Sequence, residues 1–141
     1  TYNHYGLLKI LRKVAFMVSN RKKGQSIELK GLKLLKGQGW YLEARAPPTT
    51  KFNKGVDLCE GLFDAILHKN QYGLKKRLYV QFKTQNKPNL KPFEEFCLNE
   101  CDDRDYVQIW VWKRRKGFKV WQLHYDFQDI QTKVLNGVSG V

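Results

Sequence analysis

The sequence predicts an α/β domain in which helices flank a mixed central β-sheet. Several short segments alternate apolar and polar residues with the period of a strand, and longer segments place apolar residues at helical spacing. The chain has 141 residues, of which 42% are hydrophobic, enough for one domain with a single core. We therefore predict a single domain over residues 1–141, with its main core at about 22–123.

Three helices are predicted from apolar spacing. Residues 5–18 form a basic amphipathic helix, which packs on its own domain or, alternatively, lies on a membrane surface. A second helix spans about 25–36 and ends at the glycines of 37–39. A third covers about 93–103, after a loop that contains two prolines.

Five strands are predicted, near residues 40–45, 63–68, 78–84, 106–113 and 117–123. The third reads LYVQFKT, and its alternation predicts one buried face and one accessible face. Gln81 and Lys83 then lie side by side on one face, whereas Phe82 enters the core on the other. The polar, glycine-containing stretch 69–77 connects this strand to the preceding one. Beyond His124 the alternation fades, and no further strand is predicted.

The net charge is the strongest functional signal in the composition. It is +13, from 26 Lys and Arg against 13 Asp and Glu. Such an excess favours a polyanionic partner, with nucleic acid first and an anionic membrane surface second. A basic protein without such a partner is the remaining alternative. No apolar run reaches the roughly 18 residues of a transmembrane helix, so none is expected, and no signal peptide is visible. Of the two polyanions, we predict nucleic acid as the partner and not a membrane.

The cysteines bear on localisation. Cys59, Cys97 and Cys101 are an odd number without CxxC spacing. They predict reduced thiols in an intracellular protein, cytoplasmic or nucleoid-associated, or in the host cytoplasm if the source is viral. Cys97 and Cys101 also have the i, i+4 spacing of half a zinc site, but no second pair accompanies them.

Acidic residues before the third strand are candidates for catalysis. Asp64 directly precedes an apolar strand, and Asp57 is its rival, although the residues after Asp57 do not read as a strand. An acid at the start of one strand, facing an amide and an ammonium on the next, can hold a divalent cation and direct a nucleophile to a phosphate. The alternatives are structural: an Asp before a strand can serve only a turn, and Glu28 in a first helical turn complements the helix dipole.

The tryptophans of the last two predicted strands have two interpretations. Trp110, Trp112 and Trp121 could stack on bases, as aromatic residues do in single-strand binders. Strands favour aromatic residues in any case, so packing within the sheet is the other reading.

The order of these features resembles the PD-(D/E)XK nuclease superfamily. Glu28 on a helix is followed by Asp64, by the strand with Gln81 and Lys83, and then by a helix and a strand, over roughly residues 22–112. The stretch RKKGQSIELKGLKLLKGQGWYLEARAP is similar, more narrowly, to archaeal Holliday-junction resolvases and related small phage and plasmid nucleases.

The resemblance implies a restriction-endonuclease-like core and a catalytic set of Glu28, Asp64, Gln81 and Lys83. Asp64 would be the central metal ligand. The Gln81 amide oxygen, the Phe82 backbone carbonyl and Glu28 would complete the shell around Mg²⁺ or Mn²⁺. Lys83 would orient or help deprotonate the attacking water and stabilise charge on the phosphate.

Gln81 departs from the superfamily pattern, which usually has Glu or Asp at this position, although some members carry Gln. The amide removes one negative charge and should weaken Mg²⁺ binding unless Glu28 or Asp57 compensates. Phe63 also stands where the pattern has Pro. The resemblance therefore leaves open whether the chain still cuts DNA.

The predicted function is a metal-dependent DNA endonuclease, selective for branched DNA such as a four-way junction. The alternatives are a restriction-type or repair-type nuclease of the same fold, and a DNA-binding protein that kept the fold and lost catalysis. Symmetric cutting of a junction requires a two-fold homodimer. The basic residues predicted to contact the DNA backbone are Arg21, Lys22, Lys23, Arg45, Lys51, Lys54, Lys87, Arg114, Arg115 and Lys116.

Overall fold

A computed structural model of the protein describes residues 24–46, 58–126 and 129–135. These residues form a six-stranded mixed sheet with helices on both faces, which confirms the α/β class. The elements are α1 (24–37), β1 (Tyr41–Arg45), α2 (Leu58–Gly61), β2 (Ala65–Gln71), β3 (Leu74–Thr84), α3 (Lys91–Glu100), β4 (Asp105–Lys113), β5 (Gly117–Asp126) and β6 (Asp129–Leu135). The predicted helix at 5–18 lies outside the described residues.

The strand order in the sheet follows the chain, from β1 at one edge to β6 at the other. All neighbouring strands are antiparallel except β3 and β4, which are parallel. Parallel neighbours need a crossover connection, and α3 supplies it. β3 and β4 therefore finish at the same end of the sheet, where β2 and β5 begin; we call this the Asp64 end, and the opposite end the hairpin end.

Three features differ from the sequence prediction. β2 and β3 run much further than predicted and join through Tyr72 and Gly73, whose φ angles of 53° and 77° form a tight two-residue hairpin turn. The one-turn helix α2 was not predicted. Nor was β6, because five of its seven residues are exposed and it shows little apolar alternation.

The core is divided by the sheet into two layers. On one face, α1 buries Leu32 and Leu35 against Val80 and its neighbours. On the other face, α3 buries Phe93 against Val107 and its neighbours. The central strands are therefore apolar on both sides, as expected when helices cover both faces of a sheet. We call these the α1 face and the α3 face.

α1 is amphipathic, and its outer side is basic. Ile27 and Leu35 are buried, whereas Lys33 and Lys36 on the outer side are exposed. This division matches the helical spacing of the sequence.

Among the helices of residues 24–46, 58–126 and 129–135, none combines the length and the apolar character that crossing a membrane requires.

Gly31 allows α1 to approach the sheet closely. A Cβ atom at this position would overlap the ring of Phe82 on β3. The ring occupies the space that a side chain would fill, and it packs edge-to-face with Trp110 at 5.9 Å between ring centroids. Phe82 thus enters the α1 face, as the alternation of β3 predicts.

Gly31→Ala is expected to lower the free energy of unfolding by about 1–3 kcal/mol, because the added methyl group must displace the packed Phe82 ring. Urea unfolding measures the change. Gly37→Ala is the matched control: it lies in the same helix with open space around it, and should be neutral or stabilising because alanine favours helices. Adding Phe82→Leu to Gly31→Ala should recover part of the loss. Equal stability of Gly31→Ala and the parent protein would contradict this packing.

Candidate active site

Asp64 is held between the end of β1 and the middle of β3. Its backbone N–H donates to the carbonyl of Val80 at 2.9 Å, and its own carbonyl accepts from the N–H of Ala46 at 2.8 Å. Its carboxylate Oδ2 accepts from the backbone N–H of Phe82 at 2.7 Å. These bonds to main-chain atoms fix the Asp64 carboxylate beside the backbone of residues 81–83.

Gln81 is buried next to this contact, with 8% of its surface exposed. Val80 and Phe82 pack on the α1 face, so Gln81 faces α3. Its Oε1 atom is shielded from solvent and has no hydrogen-bond partner among the described residues. Leaving a buried polar atom unsatisfied costs about 1–3 kcal/mol. An amide oxygen is a suitable ligand for a hard cation such as Mg²⁺, and a cation at this point would satisfy it.

Lys83 lies two residues after Gln81, on the same face and nearer the Asp64 end. It is exposed, whereas its neighbour across the ladder, Val111, is buried. The ammonium group can therefore meet a ligand from solvent while the Gln81 amide lies deeper. The structure therefore places the Asp64 carboxylate on the backbone of Phe82, between Gln81 and Lys83 along the strand, and these two side chains on one face, as the alternation predicts.

Glu28 is placed differently from the rest of the predicted set. Its carboxylate accepts from Arg45 Nε at 2.8 Å. Arg45 is paired with Ala65, which belongs to the α1 layer of the core. The Glu28–Arg45 ion pair therefore lies on the α1 face, whereas Gln81 and Lys83 lie on the α3 face. The roles of these residues as ligands and catalysts stay predictions.

The side-chain types around Asp64 limit how a metal could be held. Within the described ranges, no group of three His, Cys, Asp or Glu residues could hold a metal ion. A metal at Asp64 would therefore depend on neutral oxygens as well, from Gln81 and the backbone. Such a site carries less negative charge than one built from several carboxylates, and should bind Mg²⁺ more weakly.

Basic residues surround the Asp64 end of the sheet. Across the ladder, Lys83, Val111 and Lys119 are in register on neighbouring strands. Lys87 follows β3, and the turn between β4 and β5 adds the exposed residues of 114–116. By contrast, the hairpin end of β4, β5 and β6 is acidic: its carboxylates are Asp102, Asp103, Asp105, Asp126 and Asp129. The field of the domain therefore favours a phosphate at the Asp64 end.

The tryptophans combine packing with the positioning of lysines. Trp110 is buried in the core at 1% exposure, so the packing interpretation is confirmed for it. Trp112 and Trp121 are half-buried. The Nζ atoms of Lys87 and Lys119 lie 5.7 and 5.0 Å from the centroid of the Trp121 ring. Cation–π contacts of this kind are worth about 0.5–1 kcal/mol at exposed sites, so Trp121 helps to keep two cations near Lys83.

The structure places only part of the predicted DNA surface. Arg45 is bound to Glu28, Lys87 lies over Trp121, and the turn residues 114–116 are exposed. Predicted contacts that lie outside the described residues are Arg21, Lys22, Lys23, Lys51 and Lys54. Sequence reasoning missed Lys119, which joins the cluster because β5 pairs with β4 in a particular register. Strand alternation predicts which face of β5 carries Lys119, but it does not predict which strands and side chains lie beside it.

A cleft of about 480 Å³ lies between α2 and α3. Its lining includes Leu62 and Phe96 together with Glu95 and Glu100. Two carboxylates at its wall oppose the binding of a phosphate. The cleft is therefore a poor place for the DNA backbone.

The cysteine pair considered as half a zinc site lies at the end of α3. Cys97 is buried in the apolar layer of the α3 face, and Cys101 packs against the same layer. A hydrogen bond from Cys101 lowers the pKa of the Cys97 thiol. In the part of the chain that the structure describes, no further ligands complete a metal group around them, so the zinc alternative gains no support.

The fold and the site define a class: an α/β domain with a mixed sheet, in which an aspartate bonds to the backbone of a strand that carries a buried amide and an exposed lysine. Comparison of the chain with known protein families, with curated proteins and with solved structures finds no match. The resemblance to PD-(D/E)XK nucleases therefore depends on the residues and elements of this chain alone.

Replacing Gln81 tests whether its amide oxygen binds a cation. Gln81→Met removes the unsatisfied oxygen at similar volume, and should leave stability in EDTA unchanged or raised. Gln81→Glu places a second carboxylate beside Asp64 and should lower stability in EDTA. Thermal unfolding with Mg²⁺ should then show the largest rise in Tm for Gln81→Glu, a smaller rise for the parent and the smallest for Gln81→Met. Identical Mg²⁺ effects in all three proteins would contradict a cation at Gln81.

Proposed function

We propose that this protein is a metal-dependent DNA endonuclease of the PD-(D/E)XK type, which hydrolyses phosphodiester bonds with Mg²⁺ or Mn²⁺. The observation that carries the proposal is the 2.7 Å bond between the Asp64 carboxylate and the Phe82 amide. It sets a carboxylate against the strand that presents the buried Gln81 oxygen and the exposed Lys83. Asp64 and Lys83 are the residue types that the resemblance implies at these positions, and Gln81 offers an amide oxygen where the superfamily usually has a carboxylate.

The order of elements also supports the proposal. The resemblance requires a helix with an acid, an acid before a strand, a strand with a lysine, and then a helix and a strand. The chain has α1 with Glu28, Asp64 before β2, β3 with Lys83, then α3 and β4. The parallel pairing of β3 with β4 brings the last strand back beside the strand of the site.

Each residue of the proposed site would have its own chemical role. Asp64 and Gln81 would hold the cation through a carboxylate and an amide oxygen, with the Phe82 carbonyl as a further ligand. When bound, the cation would neutralise charge on the phosphate and make a coordinated water more acidic. Lys83 would orient or deprotonate the attacking water and offset the negative charge that develops on the phosphate.

The substrate that we propose is branched DNA, such as a four-way junction. The basic Asp64 end favours the phosphate backbone over base edges, so DNA shape rather than sequence would determine selection. The choice of a junction rests on the narrower resemblance of residues 21–47 to resolvases. A junction offers two symmetric strands for cutting, so we also propose a two-fold homodimer.

A second candidate function is DNA binding without cleavage. Two observations favour it: an amide stands at Gln81, and the Glu28 carboxylate is neutralised by Arg45 at 2.8 Å. Both reduce the negative charge available to attract a metal. The basic surface at the Asp64 end would serve a DNA-binding protein equally well.

Cleavage of a labelled four-way junction and a matched linear duplex, each in Mg²⁺, Mn²⁺ and EDTA, separates the two candidates. We expect symmetric, metal-dependent cuts in the junction. Asp64→Asn keeps an oxygen that can accept from Phe82 but loses the charge, and Lys83→Ala loses the ammonium. Each should lower the cleavage rate at least about a hundredfold, the usual scale for removing one electrostatic catalytic group.

Matched controls at the hairpin end are Asp103→Asn and Lys36→Ala, which make the same charge changes on exposed residues. Their cleavage rates should equal that of the parent protein. Tight junction binding with no cleavage in either metal would reject the enzyme and favour the second candidate. Cleavage that survives Asp64→Asn would place the site elsewhere.

The basic turn is testable through the salt dependence of binding. Replacing Arg114 and Lys116 with alanine should weaken duplex binding and flatten the slope of log K against log salt by about 1.8, since each phosphate contact contributes about 0.9. Fluorescence anisotropy from about 50 to 200 mM salt measures the slope. Replacing Lys33 and Lys36 changes the charge equally on the outer side of α1 and should alter the slope less. If both double variants changed the slope equally, DNA would bind without preference for the turn between β4 and β5.

A further inference from the structure

The distal part of the β2–β3 hairpin projects beyond the rest of the sheet. β1 reaches only to His68 on β2, and β4 begins opposite Arg77 on β3. Among the described strands, residues 69–76 therefore pair only with one another. We call this two-stranded ribbon the hairpin arm.

The tip of the arm carries a bulky residue in an unfavourable place. Tyr72 has a φ angle of 53°, and Gly73 follows at 77°. A turn with two positive φ angles strongly prefers Asn-Gly, because bulky side chains are strained in this region. The Tyr72 side chain is 93% exposed, and Leu74 beside it is 53% exposed. The ring thus costs the hairpin stability without contributing to the core, which suggests that it serves an external partner.

The charge of the arm indicates the chemistry of that partner. Residues 69–77 contain four basic side chains and no acidic one. Glu43 on β1 offsets part of this charge, since it accepts from Arg77 at 3.1 Å and from Lys75 at 3.4 Å. An excess of positive charge remains. A second copy of the arm would be repelled by it, whereas a polyanion would be attracted.

We propose that the hairpin arm is a nucleic-acid-binding element, in which Tyr72 stacks on a base exposed at a branch point or strand end while the arm's lysines contact phosphates. Aromatic stacking with neighbouring cations is the usual way to bind unpaired bases, and two-stranded ribbons are used for DNA binding in other proteins. The identification of the nucleic acid as DNA rests on the proposed function. The contact itself is separate from the cleavage site.

The geometry also gives the distance between the two contacts. Gln81 follows the Gly73 turn by eight residues of continuous strand, which spans about 26 Å at about 3.3 Å per residue. That length equals about eight base pairs of B-DNA at about 3.4 Å each. One protomer would then contact DNA at two places, the arm lying about eight base pairs from the cut.

Tyr72→Asn separates a role of Tyr72 in binding from a role in folding, because the substitution should raise the Tm but lower the affinity for DNA. Asparagine suits the turn better, so the Tm of the variant should rise by a few degrees. Its affinity for a four-way junction should fall by about five- to tenfold, the lower range for the loss of one aromatic stack. Tyr72→Trp keeps an aromatic ring and should bind the junction as the parent does. The affinity is measured by fluorescence anisotropy in EDTA, so that no cleavage is required.

A continuous duplex whose two ends are closed by non-nucleotide linkers exposes no unpaired base and serves as the second ligand. Tyr72→Asn should change its affinity less than twofold. Parent-like binding of the junction by Tyr72→Asn would overturn the proposal. The proposal would also be overturned if sedimentation showed that Tyr72→Asn changes the oligomeric state, because Tyr72 would then lie in a contact between two copies of the chain. Loss of cleavage in Asp64→Asn with the Tyr72 effect intact would show that the proposed catalytic site and the arm act independently, and an inactive parent protein would leave the binding test unaffected.

Discussion

The bond between the Asp64 carboxylate and the Phe82 amide is the contact on which the candidate site depends, and Phe82 links that site to the core. Its backbone holds Asp64 at 2.7 Å, while its ring packs against Trp110 beneath Gly31 of α1. Because side chains alternate along a strand, burial of this ring on the α1 face turns Gln81 and its lysine neighbour to the α3 face. The packing on one face of the sheet and the position of the candidate residues on the other are therefore set by the same strand.

Features that depend on local pattern were predictable, and features that depend on pairing were not. The alternation of β3 placed Gln81 and Phe82 on opposite faces, and a hairpin then brought Asp64 to the same point. The ion pair of Glu28 with Arg45 depends on how α1 docks against β1, which no local pattern contains. β6 escaped detection because its exposed residues show little apolar alternation. The distal parts of β2 and β3 were missed because residues 69–77 are mostly polar.

The charges of the domain restrict the path that a nucleic acid can follow. The Asp64 end is basic, and so is the hairpin arm. Five aspartates lie on one side of the sheet, where β4 starts and where β5 and β6 meet, whereas Glu28 and Glu43 on the β1 side are each paired with a basic residue. A polyanion that touches both basic regions is therefore favoured along β1, β2 and β3 and repelled from β4 to β6. This direction is consistent with a cleft between α2 and α3 that is itself lined by carboxylates.

The strand order has a consequence for how the molecule assembles. β1, β2 and β3 are joined by antiparallel neighbours along the chain, whereas β3 and β4 must be brought together across α3. Contacts between residues close in sequence form with a smaller loss of chain entropy. The Asp64–Phe82 bond joins residues only 18 positions apart and lies within the β2–β3 hairpin. The centre of the candidate site thus belongs to a local hairpin, and β4, β5 and β6 form a second set of local antiparallel pairs that adds charges around it.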